Sequence, residues 1–306
     1  MIKAVRFSKY GDISVLRVAE VEMRSPAANE VVVQVRAAGI NPGEAKIRQG
    51  LLHKRFPSTF PSGEGSDLAG TVAAIGAEVS EWAVGDDVLG WTWERSSHAE
   101  QVVVPADQLV AKPAGLSWEA AGSLYVVGCT AYAAVRAVDP TDADTVAVSG
   151  AAGGVGTIVV QLLRLRGARV IAIASDRHAD WLQAHGATVV NYGDGLEARI
   201  RAAAPDGVTA FIDLYGPEYV YLAVALGVAR DRINTIAAFD TATELGVKAE
   251  GSGAATTTDV LAEMAELAAT GKIEVQIAAT YPLEEVREAF AELEQGHTLG
   301  KIVLIP

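Results

Sequence analysis

The sequence predicts an α/β chain in which a doubly wound parallel sheet is joined to a β-rich domain. Three observations carry that expectation. Residues 145–156 read Thr-Val-Ala-Val-Ser-Gly-Ala-Ala-Gly-Gly-Val-Gly and run straight into the apolar stretch 157–166. Short β-branched segments then alternate with helical ones as far as residue 238. Ahead of them, residues 1–115 hold short strand-like segments punctuated by Gly and Pro.

In order along the chain, Met1-Ile2-Lys3-Ala4-Val5-Arg6 opens in a strand-like pattern. It lacks the apolar core and cleavage site of a signal peptide. Residues 31–36, 71–75, 100–104 and 109–111 read as further strands of a compact β-rich domain. Ser117-Trp118-Glu119-Ala120 can cap a helix after Pro113, and alanine-rich helical sequence continues to about Val138. Strands are expected at 145–149, 168–174, 188–191, 208–214 and 232–238, with helices near 177–185 and 219–228. Near-continuous apolar strands alternating with helices are the pattern of parallel βαβ units covered on both faces. Residues 257–270 and 283–295 read as amphipathic helices, and 301–305 as a closing strand. That last strand needs a partner, so the tail is expected to return to the first domain. The expected division is 1–120 with 247–306, and 121–246 between them.

The turn at 150–156 carries the chemistry. A pyrophosphate needs closely approaching backbone, unpaired N–H groups and the positive end of a helix dipole. Gly153 permits the approach, Gly156 permits close helix–strand packing, and Ala151 stands where the usual fingerprint has its first glycine. With its strand before it and its helix after it, this is a dinucleotide turn, and Ala152, Gly153, Gly154 and Val155 are its candidate ligand contacts.

Composition narrows the partners. The formal net charge of −13 disfavours nucleic acid, which is held mainly by basic surface. Half the residues are hydrophobic, yet no apolar run approaches the roughly 18 residues of a membrane helix. The single Cys129 permits no internal disulfide and points to a reducing compartment, the cytoplasm.

Several motifs carry a resemblance. They are Ala38-Gly39-Ile40-Asn41-Pro42, Gly63-Glu64-Gly65-Ser66-Asp67-Leu68-Ala69-Gly70, Val84-Gly85-Asp86-Asp87-Val88, Gly128-Cys129-Thr130-Ala131-Tyr132, the glycine turn, and His297-Thr298-Leu299-Gly300-Lys301. In this order they resemble the zinc-independent, quinone oxidoreductase (zeta-crystallin-like) branch of the medium-chain dehydrogenase/reductase superfamily. The resemblance covers nearly the whole chain. It implies a GroES-like catalytic domain with a Rossmann domain inserted, a nicotinamide nucleotide, and a homodimer. Zinc-containing relatives have cysteine where this chain has Asn41, and histidine where it has Gly63. One cysteine cannot build a four-cysteine structural site, and the five histidines show no ligand-like spacing. No metal is expected.

For the cofactor, Ser175 and Arg177 after the second nucleotide-domain strand suit a 2′-phosphate and favour NADPH, whereas Asp176 is placed to serve NAD. By resemblance Tyr192 lines the same pocket, and Thr130, Phe239 and Lys301 are cofactor neighbours. The nicotinamide supplies the reaction, and the protein must stabilise negative charge on the acceptor oxygen. A quinone or α,β-unsaturated carbonyl fits. Asn41 is the first candidate to face the nicotinamide. Lys46, in Asn41-Pro42-Gly43-Glu44-Ala45-Lys46, resembles the lysine group of this branch, which includes plant enone reductases; Asp240 is its candidate counter-charge. A 2-enoyl thioester reductase is an alternative, disfavoured because Leu52 replaces the expected tyrosine. A non-catalytic, crystallin-like NADPH-binding protein is another.

Overall fold

The computed structural model describes residues 1–306. In chain order the elements begin with β1 (Ile2–Arg6), β2 (Arg17–Val21), β3 (Glu30–Gly39), α1 (Pro42–Arg48), β4 (Asp67–Ile75), β5 (Asp87–Trp91), β6 (Gln101–Pro105) and β7 (Leu109–Ala111). Then follow α2 (Trp118–Ala121), α3 (Leu124–Val138), β8 (Thr145–Ser149), α4 (Gly154–Leu165), β9 (Arg169–Ile173), α5 (Ala179–Ala184), β10 (Ala187–Val190) and α6 (Leu196–Ala203). The rest are β11 (Ala210–Asp213), α7 (Pro217–Ala225), β12 (Ile233–Thr235), α8 (Phe239–Leu245), α9 (Thr258–Ala269), β13 (Ile277–Pro282), α10 (Val286–Glu294) and β14 (Lys301–Ile305).

The chain forms two compact units: residues 1–126, 257–272 and 277–306, and residues 127–256 with 273–276. The later break lies ten residues beyond the expected 246. Lys248 bridges to Asn234 beside β12, Asn234 exchanges hydrogen bonds with Glu250, and Arg136 donates to the Ala254 carbonyl. These bonds keep residues 247–256 with the second unit.

In the first unit a sheet runs β13-β14-β3-β4-β5-β7, with β6 also on β3, beside a β1–β2 hairpin. The closing strand β14 finds its partner there: it lies antiparallel to β3 (Val303 opposite Gly39) and parallel to β13. Alternation along β3 and β4 sends Val31, Val33, Val35, Leu68 and Val72 into one core; Phe7, Ile40, Phe290, Ile302 and Leu304 build a second. Helix α1 has no counterpart among the expected elements. Asn-Pro reads as a turn, but Pro42 stands at the first helical position, where its fixed φ and missing N–H cost nothing.

In the second unit β10-β9-β8-β11-β12 are all parallel. In order of appearance this is 3-2-1-4-5, the doubly wound arrangement whose direction reverses between β8 and β11. Phe211, Ile171, Ile173, Val220 and Ile233 fill its core. The expected strand at 232–238 is shorter, because Thr235 Oγ1 accepts from the N–H groups of Ala237 and Ala238 and turns the chain into α8.

Candidate active site

In the second unit the chain leaves β8 through Gly150, at φ +60, so the glycine-only conformation falls one residue before Ala151, which is fully buried. Gly153 caps α4, and a side chain there would meet only the Gly150 carbonyl, at 3.4 Å. At Gly156 an added Cβ would lie 2.3 Å from the Gly150 oxygen, so only glycine lets α4 approach the turn. Thr157 is the first α4 residue to bond back, to the Gly153 carbonyl at 2.9 Å. The N–H groups of Gly154, Val155 and Gly156 therefore have no intrahelical acceptor, and the dipole makes this end positive.

Beyond β9, Ser175 Oγ caps a short turn by accepting from Arg177 N at 3.5 Å, and Arg177 is exposed. The Asp176 carboxylate accepts from Asn191 Nδ2 at 2.7 Å, and Tyr192 next to it is exposed. Arg199, which the sequence reading missed, donates to the carbonyls of Asn191, Tyr192, Gly193 and Asp194 and fixes that loop. At the β8/β11 reversal, buried Asp213 accepts from Ser149 Oγ (2.6 Å), Thr235 Oγ1 (2.6 Å), Tyr215 N (3.0 Å) and Gly216 N (3.1 Å). Ser149 Oγ in turn accepts from Leu214 N at 2.9 Å. The carboxyl ends of three parallel strands are thus tied together where such sheets bind ligands. Thr130 is buried in α3, while Phe239 and Asp240 open α8, both exposed to solvent.

In the first unit Asn41, expected from the sequence to face the nicotinamide, is the centre of a buried network. Its Nδ2 donates to Asp67 Oδ2 (2.8 Å) and Glu44 Oε1 (3.2 Å), and its Oδ1 accepts from Lys301 Nζ (2.6 Å). Both amide hydrogens are engaged, so Asn41 holds the cluster together and has no donor left for an acceptor oxygen. Glu44 returns to Asn41 N at 2.9 Å, a capping box for α1, and also accepts from Ser66 N. Asp67 Oδ1 accepts from Val126 N at 2.7 Å near the start of α3. The expected cofactor residue Lys301 is likewise spent: its ammonium donates to the Ile40 carbonyl and Asn41 Oδ1, with Asp67 at 3.5 Å.

Behind this group, fully buried Arg48 pairs with Glu64 at 3.4 Å and lies over the Phe290 ring. Burial, reinforced by Glu44, pushes the Glu64 carboxyl up to about 8. Burial also raises Glu44 and Asp67, against the pull of Lys301, and lowers His98 to about 4. By contrast Lys46, on the other face of α1, is exposed and without a partner. Among the network residues not singled out from the sequence, Glu44 carried a signal, as the acid three residues after a helix cap.

No group of three or more His, Cys, Asp and Glu side chains is arranged to hold a metal ion. The donor chemistry agrees: the cation beside Asn41, Glu44 and Asp67 is the Lys301 ammonium, and Gly63 offers no ligand. The residues present do not fit zinc.

A GroES-like β-rich unit and a Rossmann-type parallel sheet, with a glycine-rich turn at its direction reversal, define the class of medium-chain dehydrogenases and reductases. Residues 27–139 match the alcohol dehydrogenase GroES-like domain and residues 167–304 the zinc-binding dehydrogenase family. The chain is 30% identical to the NAD(P)H oxidoreductase RTN4IP1, mitochondrial, of Homo sapiens, over 97% of this chain and 87% of that one. It is 28% identical to the quinone oxidoreductase of Pseudomonas aeruginosa over 100% of both. Among solved structures, Escherichia coli quinone oxidoreductase complexed with NADPH superposes with a TM-score of 0.89 at 27% identity, over 99% of this chain and 100% of that one. The chain belongs to the zinc-independent quinone oxidoreductase branch of the medium-chain dehydrogenase/reductase superfamily.

Proposed function

We propose that the protein is an NADPH-dependent reductase that passes a hydride to a quinone or α,β-unsaturated carbonyl without a metal. The observation that carries this reading is the open N-terminus of α4 at the β8/β11 reversal, with unpaired N–H groups at Gly154 and Val155. Those groups and Gly153 would hold the pyrophosphate, and exposed Arg177 with Ser175 the 2′-phosphate. Tyr192, on the loop fixed by Arg199, would flank the adenosine end. When bound, the reduced nicotinamide supplies the hydride.

The chain's own residues then have two tasks. The Asp213 network holds the strand ends and the 214–216 turn in place, so that the binding surface does not reorganise during reaction. Exposed Lys46 is the donor left in the first unit for negative charge growing on the acceptor oxygen, now that Asn41 is committed elsewhere. Homologous proteins named quinone oxidoreductase support the acceptor class. By the resemblance the protein works as a homodimer, and its single cysteine fits a reducing compartment, the cytoplasm; no helix is long and apolar enough to cross a membrane.

The test is oxidation of NADPH and NADH against a panel of quinones, enones and 2-enoyl thioesters. Quinones or enones should be reduced, with NADPH preferred. Arg177→Ala should weaken NADPH binding by about 1–3 kcal/mol, the scale of a charged hydrogen bond, and NADH binding little. Turnover of thioesters alone would reverse the choice of acceptor, and equal losses for both cofactors would remove Arg177 from the phosphate site.

A further inference from the structure

The first unit also carries an aromatic group outside the two apolar clusters named above. Trp91, the last residue of β5, stacks on Tyr125 with ring centres 4.9 Å apart and planes 13° from parallel. Trp93 stands nearly perpendicular to both, 6.4 Å from Trp91 and 6.3 Å from Tyr125. Equal distances to two stacked rings place Trp93 beside the stack, closing its side. Trp91 and Tyr125 are buried, whereas Trp93 is 60% exposed.

That exposure is held in place. Glu94 N donates to Thr92 Oγ1 at 3.2 Å, the Thr92 and Ser96 hydroxyls lie 3.4 Å apart, and Arg95 (φ +53) donates from Nη2 to the Pro57 carbonyl at 2.9 Å. An indole is among the largest apolar surfaces a protein can bury, and leaving one outward on a fixed loop forfeits that gain unless something covers it. Trp91 Nε1 is buried with no acceptor.

The register places this group beside the network around Asn41, the residue expected from the sequence to face the nicotinamide. Trp91 lies directly opposite Asp67 in the β4–β5 pair, and Asp67 accepts from Asn41 Nδ2 and from Val126, the neighbour of Tyr125. Resting on the reductase reading above, we infer that Trp93, backed by Trp91 and Tyr125, is the platform on which a planar fused-ring acceptor stacks. The acceptor class is then quinones of two or more fused rings, in preference to small aliphatic enones. Ring stacking on an indole depends on aromatic area, which an aliphatic enone lacks.

The experiment separates the platform from the chemistry. Calorimetric titration with 2-naphthol, without cofactor, should give saturable binding to the wild-type protein. Trp93→Ala should bind it about tenfold more weakly, and Trp93→Phe should recover most of the loss. In turnover, Trp93→Ala should raise KM for 1,4-naphthoquinone about tenfold while kcat, and KM for 2-cyclohexen-1-one, stay within about twofold. Trp93 is exposed, so circular dichroism and thermal unfolding should match wild type. Absence of 2-naphthol binding, or equal affinity in wild type and Trp93→Ala, overturns the platform. Normal 2-naphthol binding with no turnover of any acceptor leaves the platform standing and overturns the reductase reading instead.

Discussion

Both units bury an aspartate at one end of a strand, and they satisfy it by different chemistry. Asp67 is met by the Lys301 ammonium at 3.5 Å, the Asn41 amide and one backbone N–H, with the acid Glu44 nearby. Asp213 is met entirely by neutral donors, two hydroxyls and two backbone N–H groups, all within 3.1 Å. The first arrangement is a set of buried charges that depend on one another, and losing one partner strands the rest. The second spreads one charge over several short bonds, so that no single donor is decisive.

The largest expected effect breaks the first arrangement. Lys301→Met removes the ammonium that faces Asp67 and Asn41, leaving acids in a dry interior. Loss of one partner of a buried pair costs about 3–5 kcal/mol, to be read as a lower urea midpoint. Adding Asp67→Asn should recover part of that loss, because it removes the stranded charge. Simple additivity of the two substitutions would show that the pair is not coupled.

Lys46 gives the contrast within the same unit. Because it is exposed and unpaired, Lys46→Met should leave the urea midpoint nearly unchanged. As the proposed oxyanion donor its loss should lower kcat by roughly 10- to 1000-fold, with NADPH affinity kept. Wild-type kcat in this variant would remove Lys46 from the chemistry.

Charge burial also makes the first unit sensitive to pH. Folded Glu64 keeps its proton up to about pH 8, whereas the unfolded chain loses it near 4.5. Between those values unfolding releases a proton, so raising the pH weakens the fold, by at most about 1.4 kcal/mol per pH unit. Glu44 and Asp67, also raised, act in the same direction. His98 opposes them below 6.5, where the unfolded chain takes up a proton that the folded one refuses until about 4. Stability should therefore fall most clearly from about pH 6.5 to 8, and Glu64→Gln should flatten that decline in urea titrations. A slope identical to wild type in the variant would show that Glu64 is ionised throughout.

The same contrast explains what the sequence made legible. The second unit is built from local signals, a β-branched strand, a glycine turn and an apolar helix adjacent in the chain, and its parallel sheet followed from their alternation. The shortening of β12 was hidden because it rests on one hydroxyl, Thr235, turning back onto Ala237 and Ala238. In the first unit Asn41, Asp67 and Lys301 are brought together from three distant strands or strand ends, and no periodicity links them. Asn41 therefore read as facing the nicotinamide and Lys301 as a cofactor neighbour, with nothing in the sequence to show the hydrogen bond by which the fold joins one to the other. Trp93 carried no signal, because exposure is decided by the Thr92–Ser96 loop and not by residue type.

The smallest expected effect sharpens the comparison from the neutral side. Ser149→Ala removes one of four donors to Asp213 and the acceptor for Leu214 N. Three short bonds to the carboxylate remain, and the 214–216 turn keeps its two N–H bonds to Oδ1. The loss should be near the net worth of an ordinary hydrogen bond, about 1 kcal/mol, well below that for Lys301→Met. The freed Leu214 N–H lies in the turn proposed to border the cofactor, so on that proposal what shift there is should appear more in cofactor affinity than in the urea midpoint. A loss as large as that of Lys301→Met would mean that the hydroxyl network is as interdependent as the charged one, and the distinction between the two units would fail.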